Sequence, residues 1–164
     1  MNTDKETEMS LLVTESIGKC VLDCACIRSV AGEMWLKTYK DMLSEKDLQL
    51  IKYEETSTVF RFGDGAESVN QKLVHLPATI GKTFVMIEVA IVNNDIPLLL
   101  STEAMMKAKM RLDFGTKKVR IFNEWFDLQR SSSDHLMIPL CPLAGCRDDQ
   151  IVLHVKKIGY SFIF

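Results

Sequence analysis

The sequence has little that would direct it to nucleic acid or to a membrane. Its 164 residues carry 20 Lys and Arg against 22 Asp and Glu, a formal net charge of −2, and binding through a basic field needs an excess of positive charge. No apolar run approaches the roughly 20 residues of a membrane-spanning helix. The N-terminus is polar and acid-rich, unlike a signal peptide. We therefore expect no nucleic-acid partner, no membrane association and an intracellular, cytoplasmic location.

Internal repeats, phosphate-binding glycine loops and paired metal-ligand motifs are also missing. The five cysteines are an odd number, with Cys20, Cys24 and Cys26 close together and Cys141 and Cys146 far away. Their spacings differ from the two well-spaced pairs typical of a zinc site. We expect free thiols that pack as small apolar side chains, with a zinc site as the alternative, and neither a cofactor nor a metal.

The composition that is present, 47% hydrophobic and 26% charged, is typical of one globular domain with a substantial core. Residues 1–10 are interpreted as a polar N-terminal tail and residues 11–140 as the domain. Residues 141–164 are a C-terminal extension, for which a strand at a dimer interface is one interpretation.

A single carboxylate stands out at Asp23. It follows the apolar run 20–22, where a buried strand is expected to end, and it precedes the small residues Cys24, Ala25 and Cys26. A charge in this place is costly to bury unless it is hydrogen-bonded or shares its charge with a partner. Taken alone, the position fits a turn-capping aspartate better than a catalytic one, so other parts of the chain must decide.

The remaining patterns predict mainly β-strands with short inserted helices. Apolar runs at 11–13 and 20–27 predict an opening hairpin, and helical spacing over 29–55 predicts two helices, the second beginning with a capping box at Ser44. Later segments predict strands, a hairpin at 111–122 and a helix at 102–110 that Ser101 begins. The other predicted strands are 56–62, 73–77, 84–92, 98–100, 124–128, 136–140 and 151–155.

Two glycines, Gly63 and Gly65, flank Asp64 directly after the strand 56–62. Glycine permits positive φ in a tight turn, so a hairpin tip is predicted here. A plain turn is the simpler interpretation. A lid over an active site is the other.

The order of these features resembles that of the retroviral-type aspartic proteases, the retropepsin family, and most closely the protease domains of retrotransposon polyproteins. The family's Asp-Thr/Ser-Gly-Ala/Cys loop is similar to residues 23–26 at its first and fourth positions. Its flap hairpin is similar to residues 60–65, and its apolar-apolar-Gly segment before a helix is similar to residues 99–101. The resemblance covers about residues 11–140.

The resemblance implies a mainly β fold, a closed β-barrel lobe of the acid-protease type with inserted helices. It also implies an aspartic endopeptidase that cleaves an extended peptide in a retroelement polyprotein. In such enzymes two aspartates share one proton, and no other Asp here ends an apolar strand before two small residues, so we expect a homodimer with one Asp per chain. The implied site residues are Asp23 as the catalytic group; Cys24, Ala25 and Cys26 as the active-site loop; Phe62, Gly63, Asp64 and Gly65 as the flap; and Leu99, Leu100 and Ser101 as support for the loop.

Two residues depart from the family pattern, Cys24 in place of Thr or Ser and Ala25 in place of Gly. A thiol is a weaker donor than the hydroxyl that braces the paired loops, and Ala25 adds a Cβ where the family has none. These departures favour an alternative, a catalytically inactive retropepsin-like domain that serves as a dimerisation or peptide-binding module. An unrelated small β-rich scaffold, with Asp23 as a turn cap, is the third interpretation.

Overall fold

In the computed structural model of the chain, residues 3–61, 65 and 67–140 are described. No helix in these ranges has the length and apolar character that a membrane crossing requires. The elements are α1 (Thr3–Glu15), β1 (Lys19–Leu22), β2 (Val30–Gly32), α2 (Glu33–Asp41), α3 (Glu45–Leu48), β3 (Lys52–Arg61), β4 (Glu67–Ile80), β5 (Thr83–Val92), β6 (Leu99–Leu100), α4 (Thr102–Lys107), β7 (Arg111–Asp113), β8 (Lys118–Ile121), β9 (Glu124–Asp127), β10 (Gln129–Arg130) and β11 (Leu136–Pro139).

A mixed eight-stranded sheet forms the body of the molecule, with the strand order β10-β11-β1-β6-β2-β5-β4-β3. Strands β7, β8 and β9 form a separate antiparallel sheet. Strand β6 is parallel to β1 and antiparallel to β2. It therefore lies between the strand that precedes Asp23 and the next strand along the chain. The mainly β class expected from the sequence is confirmed.

The closed barrel is not found among the described strands. A barrel closes only when the two edge strands of a sheet pair with each other, and here β10 and β3 end the large sheet on opposite sides. Strand β10 has only two residues, whereas β3 has ten and pairs with β4 along a hairpin. With these unequal edges the described sheets stay open.

The main apolar core joins the large sheet to α2, α4 and the small sheet. Strand β5 is buried along nearly its whole length, as expected for a strand that is covered on both faces. On α2, Trp35 and Tyr39 lie one turn apart and stack with their ring centroids 4.9 Å apart. The Tyr39 hydroxyl donates to the carbonyl oxygen of Pro77 at 2.7 Å, which satisfies the one polar atom of this buried side chain.

At the N-terminus the predicted hairpin is wrong. Residues 11–13 belong to α1, where Leu12 is buried against Val21 and Met137 while Leu11 is exposed. A helix that rests on a surface buries one stripe of its residues, so an apolar run along it is not buried throughout. The tail boundary at residue 10 falls inside the same helix.

The elements around Asp23 are also shorter than predicted. Strand β1 ends at Leu22, as the carboxylate at Asp23 predicts, and does not extend to residue 27, as the apolar run predicts. The helix expected from Ser29 begins at Glu33. Val30, Ala31 and Gly32 instead form β2, which is buried between β5 and β6.

Most of the later predictions agree with the structure. Strands occur at 83–92, 99–100, 118–121, 124–127 and 136–139, and α4 begins after the predicted cap Ser101. The turn before β5 contains Gly81 at φ +61°. The strand predicted at 151–155 and the whole extension 141–164 lie outside the described residues.

Candidate functional site

Asp23 directly follows β1, at the strand end that the sequence predicts. Cys20 and Val21 of this strand are buried, and Leu22 lies opposite Leu100 of the parallel neighbour β6. The N–H of Asp23 donates to the carbonyl oxygen of Leu100 at 3.2 Å. Because parallel strands end at the same edge of a sheet, the half-buried Asp23 lies at the edge where β6 also ends.

The Asp23 carboxylate shapes the segment that follows it, residues 23–29, which we call the Asp23 loop. Its Oδ1 atom accepts a hydrogen bond from the N–H of Ala25 at 2.9 Å, an Asx-turn. The carbonyl oxygen of Asp23 accepts from the N–H of Cys26 at 3.2 Å. Asp23 is thus the turn cap that its position suggested. Its Oδ2 atom has no hydrogen-bond partner in the described part of the chain, so one carboxylate oxygen can accept from another group.

Thr102, the first residue of α4, binds the Asp23 loop at two points. Its N–H donates to the carbonyl oxygen of Cys26 at 3.1 Å, and its hydroxyl donates to that of Cys24 at 2.8 Å. We did not identify Thr102 from the sequence. The available signal was a hydroxyl residue in the first turn of a helix, where backbone N–H groups lack intrahelical partners.

Ser29 and Ser101 connect the end of the Asp23 loop to the end of β6. Both are buried; the Ser29 hydroxyl donates to Ser101 Oγ at 3.3 Å, and the N–H of Ser101 donates to Ser29 Oγ at 3.1 Å. Ser101 Oγ also accepts from the N–H of Ala104 at 3.2 Å, as the N-cap of α4. The role of Ser29 was not predicted either, because its only signal in the sequence is a lone hydroxyl before an apolar pair.

The segment predicted to support the loop, Leu99 to Ser101, therefore lies against the Asp23 loop in the structure. Leu100 binds the backbone of Asp23, and Ser101 binds Ser29. Leu99 lies opposite Val21 in β1 and opposite Val30 in β2.

The three described cysteines are free thiols, as predicted, but their surroundings differ. Cys20 is completely buried, and this burial raises its pKa. Cys26 donates through Sγ to the carbonyl oxygen of Arg28. Burial, and then the negative charge of Asp23, raise the pKa of Cys26 to about 11. Cys24 is exposed.

Ala25 occupies its place in the loop without a left-handed backbone. In the described ranges, the non-glycine residues with positive φ are Lys109, Lys117, Phe122, Asn123 and Asp134. The loop therefore does not require the conformational freedom of a glycine at position 25. What Ala25 adds is a Cβ on an exposed residue.

A polar cavity of about 230 Å³ opens beside the end of the Asp23 loop. Arg28 and Ser29 line it together with Glu103 and Lys107 of α4. Lys107 Nζ lies 2.9 Å from Glu103 Oε1, and this hydrogen bond and charge lower the pKa of Glu103. Within the described residues, no group of three or more His, Cys, Asp and Glu side chains is placed to hold a metal ion.

The predicted flap corresponds to the hairpin of β3 and β4, which pair in antiparallel fashion with a bulge after Glu55. In the sheet, β3 is separated from β1 by β4, β5, β2 and β6. Phe62, Gly63 and Asp64 lie outside the described residues. Gly65 has φ +84°, and a Cβ added to it would have no neighbouring atom within 4 Å. The hairpin is found where it was predicted, and contact between its tip and Asp23 stays a prediction.

No protein-family model matches this chain, and no curated protein matches it. What the site does is therefore inferred from its geometry and chemistry.

Proposed function

We propose that this chain is a retropepsin-like aspartic endopeptidase that cleaves peptide bonds in a retroelement polyprotein and acts as a homodimer. The observation that carries the proposal is the set of hydrogen bonds around Asp23. A carboxylate at the end of a buried strand is held in a loop by Leu100 and Thr102, and one of its oxygens has no partner in the described residues. These contacts join the three parts that the resemblance pairs with the family: the Asp loop, the apolar segment and the start of the helix.

The chemistry requires a second carboxylate. No carboxylate is hydrogen-bonded to Asp23 in the described part of the chain, and a two-fold axis through the site would bring Asp23 of a second copy to the first. Two carboxylates about 3 Å apart cannot both ionise, so the pair holds one proton. The ionised aspartate takes a proton from a water molecule, and the oxygen of that water attacks the scissile carbonyl carbon. The protonated aspartate donates its proton to the carbonyl oxygen. The C–N bond of the tetrahedral intermediate then breaks as the carboxyl that took the water's proton gives it to the leaving nitrogen. The other carboxylate takes a hydroxyl proton from the intermediate, so the pair again holds one proton.

The substrate in this proposal is an extended peptide. Such a peptide binds by backbone hydrogen bonds of the kind that join strands, with pockets for alternate side chains. The β3–β4 hairpin is the candidate lid, since a long two-stranded arm at a sheet edge can bend over a cleft. Neither a cofactor nor a metal enters this chemistry.

A cleavage assay on an unbiased peptide library, at mildly acid and at neutral pH, tests the activity. We expect cleavage by the wild-type chain and a loss of at least about a hundredfold in Asp23→Asn, which removes the acid-base group. The matched control is Asp95→Asn, since Asp95 is also a loop aspartate but is exposed and lies outside the hydrogen bonds of the site. Absence of cleavage, or equal activity of Asp23→Asn and the wild type, would sink the protease proposal.

A mixing experiment tests whether the two aspartates come from two chains. Wild-type chain is refolded with increasing amounts of Asp23→Asn, and activity is measured at constant wild-type concentration. If each site needs one Asp23 from each copy, heterodimers are inactive and the activity falls as the variant is added. The same amounts of Asp23→Asn leave the activity constant if each chain works alone. Sedimentation of the wild type over a range of concentrations measures the dimer directly.

The inactive module remains the second candidate, favoured by Cys24 in the place of a bracing hydroxyl. It predicts that the chain dimerises or binds peptides without cleaving them. Replacing Cys24 by Thr and Ala25 by Gly together should then create or raise activity if these two residues are what impairs the site. No gain in the double variant, with dimerisation retained, would show that the impairment lies elsewhere.

A further inference from the structure

Three consecutive serines form the turn between β10 and β11, and the structure gives them different surroundings. Ser131 is buried, and its Oγ atom accepts from the N–H of His135 at 3.0 Å. Ser133 Oγ lies 2.9 Å from Nδ1 of His135. Ser132 is exposed, and its N–H donates a hydrogen bond to another element, outside the turn. Only Ser132 thus combines an exposed position with a contact to a distant part of the chain.

The partner of Ser132 is Glu15, the last residue of α1 and 117 positions away in the sequence. The N–H of Ser132 donates to Glu15 Oε2 at 2.9 Å. The Ser132 side chain, followed by this backbone bond, lowers the pKa of Glu15. The contact holds the C-terminal end of α1 against the β10–β11 turn.

The helix held in this way covers the strand that leads to Asp23. Leu12, one turn before Glu15, is 3% exposed and packs with Val21 of β1 and Met137 of β11. Leu11 on the other side of the helix is about half exposed. Leu12 thus supplies an apolar contact of α1 with the sheet, and Glu15 supplies a polar one with the β10–β11 turn.

We propose that Ser132 is a phosphorylation site for a serine/threonine protein kinase and that its phosphate releases the C-terminal end of α1. The kinase transfers the γ-phosphoryl group of Mg·ATP to Ser132 Oγ. A bond forms between this oxygen and the phosphorus, the bond from that phosphorus to the β–γ bridging oxygen breaks, and ADP leaves. The hydroxyl proton passes to the kinase. This inference does not depend on the proposed protease activity.

Phosphorylation would turn the attraction between Ser132 and Glu15 into repulsion for two reasons. The ester oxygen carries no hydrogen that Glu15 could accept, and the phosphate adds a charge of about −1.5 to −2 beside a carboxylate and a helix C-terminus, both of which disfavour negative charge. Nearby cations oppose this effect only weakly. Lys19 is the smallest influence on Glu15, and Arg130 is already paired with Asp134 at 3.4 Å.

The local sequence around Ser132, like the exposure of this residue, favours recognition by a kinase. Arg130 stands two residues before Ser132 and Asp134 two residues after it, both with mostly exposed side chains. Charged residues at such short distances from a hydroxyl are what kinases use to select a serine. Ser131, whose oxygen is buried and bonded within the turn, is not accessible in the folded protein.

Incubation of the full chain with Mg·ATP and one arginine-directed and one acid-directed serine kinase tests the site itself. Peptide mass spectrometry then locates the phosphate, with Ser132→Ala and Ser133→Ala as paired controls. We expect phosphate on Ser132 from at least one kinase, lost in Ser132→Ala and kept in Ser133→Ala. No phosphate on Ser132 of the folded chain from either kinase would overturn the proposal.

Hydrogen exchange of residues 3–15 tests the release of α1. We expect roughly two- to fivefold faster exchange in the phosphorylated chain and in Ser132→Asp, as a surface charge contact of this kind implies. Ser132→Asn has nearly the same shape without the charge and should exchange more slowly than Ser132→Asp. In a Glu15→Gln background the two variants should become equal. Equal exchange of Ser132→Asp and Ser132→Asn with Glu15 present would contradict the electrostatic release.

Discussion

Asp23 acts on its neighbour Cys26 as well as on the backbone of their shared loop. Its Oδ1 atom holds the N–H of Ala25, and its charge adds to the burial that raises the pKa of Cys26. The thiolate of Cys26 is disfavoured for both reasons, since burial removes water from it and Asp23 repels it. At this scale the loop contains one exposed cysteine, Cys24, and one whose thiol is kept protonated.

We expect iodoacetamide at about pH 8 to modify Cys24 well before Cys26. With a pKa of about 11, only about one Cys26 thiol in a thousand is ionised at that pH, and the thiolate is the form that reacts. Peptide mass spectrometry over time measures both rates. Asp23→Asn removes the repelling charge and should speed the modification of Cys26, by less than about tenfold because burial is the larger cause. Modification of Cys26 before Cys24 would contradict the described surroundings.

At the scale of the elements, two short helices begin with a serine cap, but the two caps differ in what surrounds them. Ser44 accepts from the N–H of Asp47 at the start of α3. Ser101 accepts from the N–H of Ala104 at the start of α4 and is also bonded to the buried Ser29. The sequence predicts both caps from the residue type, and only the fold adds Ser29.

Comparison of Ser44→Ala and Ser101→Ala measures this difference. Loss of a cap costs about 1 kcal/mol of the free energy of unfolding, and we expect about this value for Ser44→Ala. Ser101→Ala should cost about 2–3 kcal/mol, because it also leaves the buried Ser29 hydroxyl without its acceptor. Urea unfolding monitored by fluorescence gives both values. Equal costs would mean that the Ser29–Ser101 contact adds nothing to stability.

The contact between Glu15 and Ser132 makes the anchoring of α1 depend on pH. The pKa of Glu15 is lowered in the folded chain from its ordinary value of 4.5, so the ionised form is favoured by folding. The stabilisation is present above the pKa of the unfolded chain and is lost as pH falls through the lower folded pKa. We expect Glu15→Gln to make the fall in stability between about pH 5 and pH 3 shallower.

Urea unfolding at a series of pH values measures this slope, with Glu8→Gln on the same helix as the control. Glu103 and Asp113 also have lowered pKa values and contribute loss of stability of the same sign. A fall in stability that is equally steep in Glu15→Gln and in the wild type would show that the contact with Ser132 is not what links α1 to pH.

At the scale of the whole molecule, two segments of the backbone are in close contact where β6 lies between β1 and β2. The segment before β6 passes Gly32 at the end of β2, and the N–H of Gly32 donates to the carbonyl oxygen of Ile96 at 3.0 Å. A Cβ on Gly32 would overlap the carbonyl oxygen of Asn94 and lie within 3.0 Å of backbone atoms of Ile96. Because all three nearest atoms are backbone atoms, no flexible side chain can move away to make room.

Gly32→Ala should therefore destabilise the fold by about 1–3 kcal/mol or more, in the range of overpacked cores. Gly115→Ala is the matched control, because its Cβ would meet only the Asp113 side chain, at 3.3 Å. Urea unfolding of both variants, with circular dichroism to confirm folding, gives the comparison. A cost for Gly32→Ala no larger than that for Gly115→Ala would mean that the two segments can separate.

The sequence by itself determined the elements whose patterns are local. The apolar residues of β5, the serine cap of α4 and the end of β1 at Asp23 follow from neighbours a few positions apart, so they were predicted. The Asx-turn at Asp23 spans two residues and belongs to the same class.

Only the tertiary structure decided which distant segments meet. Ser29 and Ser101 are 72 positions apart and Cys24 and Thr102 are 78 apart, and no local pattern specifies such pairs. For the same reason residues 11–13 resembled a strand in sequence but fold as a helix, since burial of Leu12 alone depends on Val21 and Met137. Whether the sheet closes likewise depends on its two edges, β10 and β3, which belong to distant parts of the chain. Long-range contacts of this kind are set by the packing of the whole molecule, and for this reason the surroundings of Asp23 could not be deduced from the residues beside it.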